Sequence, residues 1–316
     1  MRINSGLPIL VASLCALIAA PALAQVDSGQ ERADVLGFAS EADERTRSFD
    51  PAAPAIGTAP SVGALPTPGL VIRPDDRSEA TEETAEDLFK SGASAYLQQD
   101  FGTALQWFER AADLGHPLAQ WKLGRMYQEG DGVGANQEMA FKYYTDVARA
   151  SGDVAPNSAT APFVAHALLT IGTYYLDGIE GTPITKDPAR AHKILHYAAS
   201  YYANAEAQFA LGRIYFDGLA GRTNKRWAAR WLKLSALKGH HKAQAMLGRM
   251  MFMGDGIPQR VSEGLMWLTL ARERAGGKED DWIRDEQERA FALATETERR
   301  TAMARADKWN SIFESR

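Results

Sequence analysis

The sequence LGRMYQEGDGV at residues 123–133 occurs four times in this chain with small changes. It returns as LGRIYFDGLAG at 211–221 and as LGRMMFMGDGI at 247–257, and a weaker copy, IGTYYLDGIEG, lies at 171–181. One copy could arise by chance, but four copies indicate an internal repeat. Repeats of this length are typical of arrays in which similar units stack on one another, so the fold is predicted unit by unit.

The glycine of each LG or IG pair anchors its copy, and successive anchors lie 48, 40 and 36 residues apart: Gly124, Gly172, Gly212 and Gly248. The shortest spacing gives the basic unit, and the longer ones contain insertions. An alanine lies five residues before each anchor, and a second glycine lies six residues after it. In three copies a small residue follows ten positions after the second glycine: Ala140, Ala228 and Gly264.

This pattern predicts two helices in each unit, joined by a glycine-rich loop. Small residues at the anchor allow the two helices to approach closely, and apolar residues three and four apart form a stripe along each helix. The loop glycines end the first helix, since glycine adopts left-handed backbone angles without strain. A single pair cannot bury its apolar stripe, so the pairs are expected to stack into an all-α solenoid.

Upstream of the repeats, the first 24 residues are predicted to be a signal peptide. Arg2 is followed by an apolar run over 10–20 that is too short to span a bilayer, and Ala22 and Ala24 form a small-x-small cleavage site. We expect cleavage after Ala24 and export of the remainder. The only cysteine, Cys15, would be removed, so the mature chain would have neither a disulfide nor a thiol nucleophile.

Residues 25–80 are predicted to be a disordered segment rich in proline and alanine. Six prolines lie between Pro51 and Pro74, and proline fixes the backbone angle φ and removes a hydrogen-bond donor. The acidic stretch at 78–89 is typical of a helix start. The whole chain has 35 basic and 40 acidic residues and a net charge of −5. This charge does not indicate a surface that binds nucleic acid.

The repeated pattern A-x-x-x-L-G-x-x-Y-x-x-G-x-G-V resembles the Sel1-like repeat, a relative of the tetratricopeptide repeat. The resemblance implies a right-handed α-solenoid with four Sel1-like repeats over 116–277. Residues 81–115 resemble a shorter tetratricopeptide-like first unit, in which Gly92, Ala104, Phe108 and Ala111 occupy that family's small and bulky positions. Residues 278–316 have a helical composition without the glycine triad, and we predict that they form a C-terminal helical cap.

No catalytic constellation is recognisable, and the protein is predicted not to be an enzyme. His192 and His196 lie four residues apart on a predicted helix, a spacing that can hold a metal, but no third ligand is obvious, so no metal site or cofactor is predicted. The loop carboxylates Asp177 and Asp217 leave a cryptic hydrolase as an alternative. Such residues also serve as ordinary turn residues.

The remaining candidate is a protein-binding surface on the first helices. If the anchor glycine faces the inside of each pair, positions three before, one after and four after it face the concave groove. Arginine beside aromatic residues is the composition of protein-binding hot spots. The predicted partner-binding residues on the concave face are Trp121, Arg125, Phe209, Arg213, Phe216, Arg249 and Phe252. In the alternative interpretation, the arginines pair with nearby acids and the aromatic residues belong to the core.

The layout of leader, linker, array and cap resembles the exopolysaccharide-production negative regulators (ExoR-type). The stretches GHPLAQWKLGRMYQEGDGV at 115–133 and DDWIRDEQERAFALA at 280–294 carry the resemblance. It implies a periplasmic protein that binds the periplasmic domain of a sensor histidine kinase and represses a two-component system. It further implies release by acid stress with periplasmic proteases as partners, and no small-molecule substrate. An envelope scaffold that assembles secretion or cell-wall proteins is the alternative function.

Acid release suggests a role for the histidines near the unit junctions. Protonation near pH 6 adds charge there, which we expect to loosen the junctions. The candidates are His116, His166, His240 and His241.

Overall fold

A computed structural model describes residues 83–150 and 154–314, and this part of the chain is helical without any β-strand. The predicted signal peptide and proline-rich segment therefore lie outside the described residues. Twelve α-helices follow one another: α1 Ala85–Leu97, α2 Phe101–Asp113, α3 Pro117–Glu129, α4 Gln137–Ala150, α5 Ala161–Asp177, α6 Pro188–Ser200, α7 Ala205–Asp217, α8 Lys225–Leu237, α9 His241–Met253, α10 Val261–Arg274, α11 Asp281–Leu293 and α12 Glu296–Glu314.

The first ten helices form five antiparallel pairs, and each pair packs on the next. Three groups of buried side chains follow one another along the array, and α8 contributes Trp231 to one group and Leu232 to the next. The core therefore follows the array from α1 to α12 as three successive groups, as expected for stacked repeats. None of the helices in the described ranges is long and apolar enough to cross a membrane.

The anchor glycines bring the two helices of a pair together. A Cβ atom on Gly124 would lie 2.9 Å from the ring of Tyr144, and one on Gly212 would lie 2.8 Å from the side chain of Leu232. The second helix of each pair thus fills the space that a larger residue would need. Gly92 in α1 packs in the same way against Phe108 of α2.

The loop glycines end the first helices as predicted. Gly130, Gly218 and Gly254 cap α3, α7 and α9 with φ angles of 83°, 74° and 71° in the left-handed region. The third glycine of the loop instead leaves room for the preceding pair. A Cβ atom on Gly132 would collide with Phe101, and one on Gly256 would collide with Lys225. Each of these loops therefore packs on the start of the second helix of the preceding pair.

The last two helices close the C-terminal end of the array. A short 3₁₀ helix, Lys278–Asp280, leads into α11, and α12 packs along α10. Trp309 of α12 meets Trp267 of α10 edge to face, with ring centroids 5.0 Å apart. Both indoles are buried, so α12 covers the apolar face that α10 would otherwise expose.

Candidate partner-binding face and junction histidines

The three predicted arginines lie one residue after the anchor glycine on α3, α7 and α9, and all three reach the surface. Two of them pair with an acid four residues later on the same helix. Arg125 binds Glu129 through Nε at 3.0 Å, and Arg213 lies 3.6 Å from Asp217. Arg249 has no ion pair within the described ranges. The alternative interpretation, in which the arginines pair with nearby acids, thus applies to Arg125 and Arg213. Arg249 remains available to a partner.

The predicted aromatic residues are half-buried or buried, and each contacts its neighbours in the array. Trp121 lies under Arg125 and packs edge to face on Phe163, with centroids 4.8 Å apart. Phe216 lies 5.2 Å from the ammonium group of Lys225. Phe252 is only 8% exposed and belongs to the core. The structure brings Trp121 and Arg125 together, but it distributes the seven predicted residues along the array and does not gather them in one pocket.

Two junctions of the array have the same histidine arrangement. His116 and His240 are the N-cap residues of α3 and α9, and their Nδ1 atoms accept hydrogen bonds from the backbone N–H groups of Ala119 and Ala243 at 3.2 and 3.1 Å. Since Nδ1 accepts, the neutral ring carries its proton on Nε2. This arrangement could not be seen in the sequence, which predicted only that these histidines lie near the unit junctions.

The rings of His116 and His240 also contact the first helix of the preceding pair. The His116 ring stacks on Phe89 with centroids 4.6 Å apart, and the His240 ring stacks on Phe209 at 4.5 Å. Nε2 of His116 donates to Glu86 at 3.0 Å, and Nε2 of His240 donates to Glu206 at 2.9 Å.

These bonds lower the pKa of Glu86 and of Glu206. A doubly protonated ring of His116 or His240 would keep its carboxylate contact but lose the N-cap hydrogen bond.

We expect His240→Ala to lower the free energy of unfolding by about 1 kcal/mol more than His240→Asn does. Asn204 caps α7 at the equivalent position by accepting from the backbone N–H of Ala207, so asparagine can replace the cap although it cannot replace the stacked ring. Urea unfolding followed by circular dichroism measures the difference. Equal losses in the two variants would contradict the capping role and leave the ring stacking as the reason for the histidine.

Three further histidines are packed between helices. Nδ1 of His166 accepts a hydrogen bond from the indole of Trp121 at 3.2 Å, Nε2 of His192 lies 2.9 Å from the hydroxyl of Tyr215, and His196 packs edge to face on Trp231. Burial lowers the pKa of His166, His192 and His196, and the nearby charge of Arg125 lowers that of His166 further.

These lowered pKa values predict that acid weakens the array. The unfolded chain binds protons near the ordinary histidine pKa of about 6.5, whereas the folded chain binds them only at lower pH. The unfolding free energy should therefore fall as the pH drops below about 6.5. Replacing His166, His192 and His196 together with glutamine should flatten the thermal stability measured between about pH 7.5 and about pH 5.5. An equally steep decline in the triple variant would assign the acid sensitivity to other groups.

His241, the fourth predicted junction residue, connects the last repeat to the cap. Its Nε2 lies 2.8 Å from the buried carboxylate of Asp280, which also accepts from the backbone N–H of Gly276 at 3.0 Å. Burial raises the pKa of Asp280, but the Gly276 bond and the charges of His241 and Lys242 outweigh it and hold the pKa below its usual range. This contact holds the loop before α11 against the start of α9.

The candidate chemical groups do not assemble into a reactive centre. His192 and His196 have ring centroids 6.0 Å apart, and over the described ranges no three His, Cys, Asp or Glu side chains are placed to hold a metal ion. Asp217 pairs with Arg213, and Asp177 is an exposed residue at the end of α5.

Comparisons with known proteins agree with this architecture. The family model described as Sel1 repeat matches residues 84–116, 117–145, 165–200, 205–240 and 241–275. The first of these matches covers the segment predicted to resemble a tetratricopeptide unit. Two solved structures share the fold: a protective antigen of uropathogenic Escherichia coli with an SLR fold and a Sel1 repeat protein from Oxalobacter formigenes.

Both structural likenesses are at 22% sequence identity, so they show the fold alone. The Escherichia coli antigen has a TM-score of 0.60, over 72% of this chain and 46% of its own. The Oxalobacter protein has a TM-score of 0.54, over 74% of this chain and 89% of its own. The predicted all-α solenoid of helix pairs is confirmed.

Sequence relatives point to regulators. The chain is 36% identical over 216 residues to the exopolysaccharide production negative regulator of Rhizobium meliloti (strain 1021), covering 68% of this chain and 78% of the relative. It is 35% identical to the protein of the same name from Rhizobium leguminosarum bv. viciae, covering 69% and 79%. It is also 33% identical to chitin synthase regulatory factor 4 of Schizosaccharomyces pombe, covering 46% of this chain and 20% of that protein. The chain is a Sel1-repeat protein and belongs to the family of the exopolysaccharide production negative regulators.

Proposed function

We propose that this protein is an exported, protein-binding negative regulator of exopolysaccharide production. It binds the periplasmic domain of a membrane sensor histidine kinase, holds the kinase inactive and acts without catalysis. The observation that carries the proposal is the 36% identity to a relative named for this negative regulation, which extends over most of both chains. The predicted signal peptide at 1–24 supports the periplasmic location.

The architecture supports binding as the mode of action. Stacked helix pairs present an extended surface made of first helices, and such surfaces are used for protein recognition. Arg213 and Arg249 lie on this surface, and arginine is enriched at binding hot spots. Because burial lowers the pKa of His166, His192 and His196, acid should destabilise the folded array. A destabilised array would release its partner and become accessible to proteases.

The proposal is tested with photo-crosslinkers placed in the full chain in the envelope. One replaces Arg213 on the first helix α7, and a matched one replaces Arg226, which is also exposed but lies on the second helix α8. We expect one membrane sensor kinase to be captured from Arg213 at neutral pH and lost in acid. Capture of the kinase from Arg226 alone would keep the function and move the binding surface, whereas absence of any kinase from both positions would overturn the proposal.

A second candidate is an adaptor that acts on an envelope or cell-wall enzyme. The similarity to chitin synthase regulatory factor 4, a protein named for regulating a polysaccharide synthase, favours this candidate. The same crosslinks separate the two proposals, since an adaptor would be captured with several envelope proteins and without a kinase.

A further inference from the structure

The last repeat departs from the others at one exposed position of its first helix. Five residues after the anchor glycine, α3 has Glu129 and α7 has Asp217, and each of these acids pairs with the arginine one residue after the anchor. In α9 the residue at this position is Met253. Arg249 has the same register as the other two arginines but no acid one turn further along its helix.

Arg249 and Met253 lie at an open cleft of about 620 Å³ between α9 and α11. Arg249 and Met253 line one side, Glu286 and Arg289 line the other, and the loop after α9 forms the end. Met253 is 62% exposed, so its thioether can be reached by a partner. The cleft therefore combines a cation and an accessible thioether, which packs adaptably against apolar groups.

The charges around the cleft leave one cation without a counter-charge. Lys225, Arg249 and Arg289 supply three positive charges, and Asp255 and Glu286 supply two negative ones. Asp255 is already bound by Lys225, and Glu286 lies 3.1 Å from Arg289. The net charge of one positive unit thus resides on Arg249, whose planar guanidinium can bind a carboxylate through two parallel hydrogen bonds.

We propose that this cleft binds a segment of a protein partner in which a carboxylate stands beside an apolar side chain. The carboxylate pairs with Arg249, and the apolar side chain packs on Met253. The complementary charge and the adjacent apolar surface both favour this occupant over a purely acidic or a purely apolar segment. The inference rests on the proposed function in that it needs a protein partner, and it names the feature of the partner that is recognised.

A phage-displayed library of random dodecapeptides, panned against the full chain, tests the chemistry without knowledge of the partner. We expect the enriched peptides to contain Asp or Glu next to Leu, Met or Phe. The best peptide, labelled with fluorescein, is then titrated against the wild type and the variants Arg249→Gln and Met253→Ser. Each variant should bind about 10-fold more weakly. Arg110→Gln is the matched control, since Arg110 is also exposed but pairs with Glu83 on the first helix pair and does not line the cleft, so the affinity of this variant should stay unchanged.

Three outcomes would overturn the inference: no enriched peptide, enriched peptides without a carboxylate, or an equal loss of affinity in Arg110→Gln and Arg249→Gln. Thermal unfolding of each variant confirms that it is folded before titration. The outcome is separable from that of the proposed function. If peptide binding depends on Arg249 but no kinase is captured, the cleft is supported as a binding site and the kinase is contradicted as the partner. If wild type and Arg249→Gln capture a kinase equally well, the proposed function is supported and the role of the cleft is contradicted.

Discussion

Replacing Gly264 with alanine is expected to lower the free energy of unfolding by about 3 kcal/mol. Gly264 lies in α10 where this helix crosses α9, and a Cβ atom there would lie 2.6 Å from the backbone nitrogen of Phe252 and 2.7 Å from the carbonyl oxygen of Gly248. Backbone atoms cannot rotate away as a side chain can, so the two helices would have to separate. Their separation would disturb the packing of the last repeat.

Two matched glycine variants make the test specific. Gly124→Ala brings its Cβ atom against the ring of Tyr144, a side chain that can shift, so its cost should be smaller than that of Gly264→Ala. Gly102→Ala is exposed in α2 and meets only Asp100, at 3.9 Å, so it should stabilise the protein by up to about 1 kcal/mol through helix propensity. Urea unfolding of the three variants gives the order. A Gly264→Ala protein as stable as wild type would contradict the contact.

The repeat pattern was sufficient to predict the helix pairs, the glycine-rich loops and the close approach at the anchors. It identified Gly264 only as one of three small residues, beside Ala140 and Ala228. A sequence period shows at which positions two helices approach each other, but it does not give the distance between them. The additional requirement for glycine at 264 arises from the distance between α9 and α10, which depends on the packing of both helices.

The candidate site was less predictable, because its decisive contacts join residues far apart in the chain. The pairs between His116 and Glu86 and between His240 and Glu206 span 30 and 34 residues, and no local pattern reveals them. Arg249 was selected as a candidate from its position in the repeat, one residue after the anchor glycine. Its neighbour Arg289 belongs to the cap, where the glycine triad is missing and the repeat numbering no longer applies.

Replacing Trp309 with alanine is expected to lower the free energy of unfolding by about 4 kcal/mol. Trp309 is 1% exposed, and its indole packs on Trp267, so its truncation leaves a cavity between α10 and α12. Met303 on the same helix is 52% exposed, and Met303→Ala should change the stability by less than about 0.5 kcal/mol. Equal stabilities of the two variants would contradict the role of α12 as a cap.

The loss in Trp309→Ala should begin at the C-terminal end and not spread evenly through the array. Each pair in a solenoid is stabilised by its neighbours, so removal of the terminal contact weakens α10, α11 and α12 first. Hydrogen exchange followed by mass spectrometry should therefore show faster exchange after residue 261 and unchanged exchange before residue 200. Because Arg289 of α11 lines the cleft beside Arg249, the same variant should also weaken peptide binding there, although Trp309 does not line the cleft. Uniformly faster exchange throughout would instead show that the array unfolds as one cooperative unit.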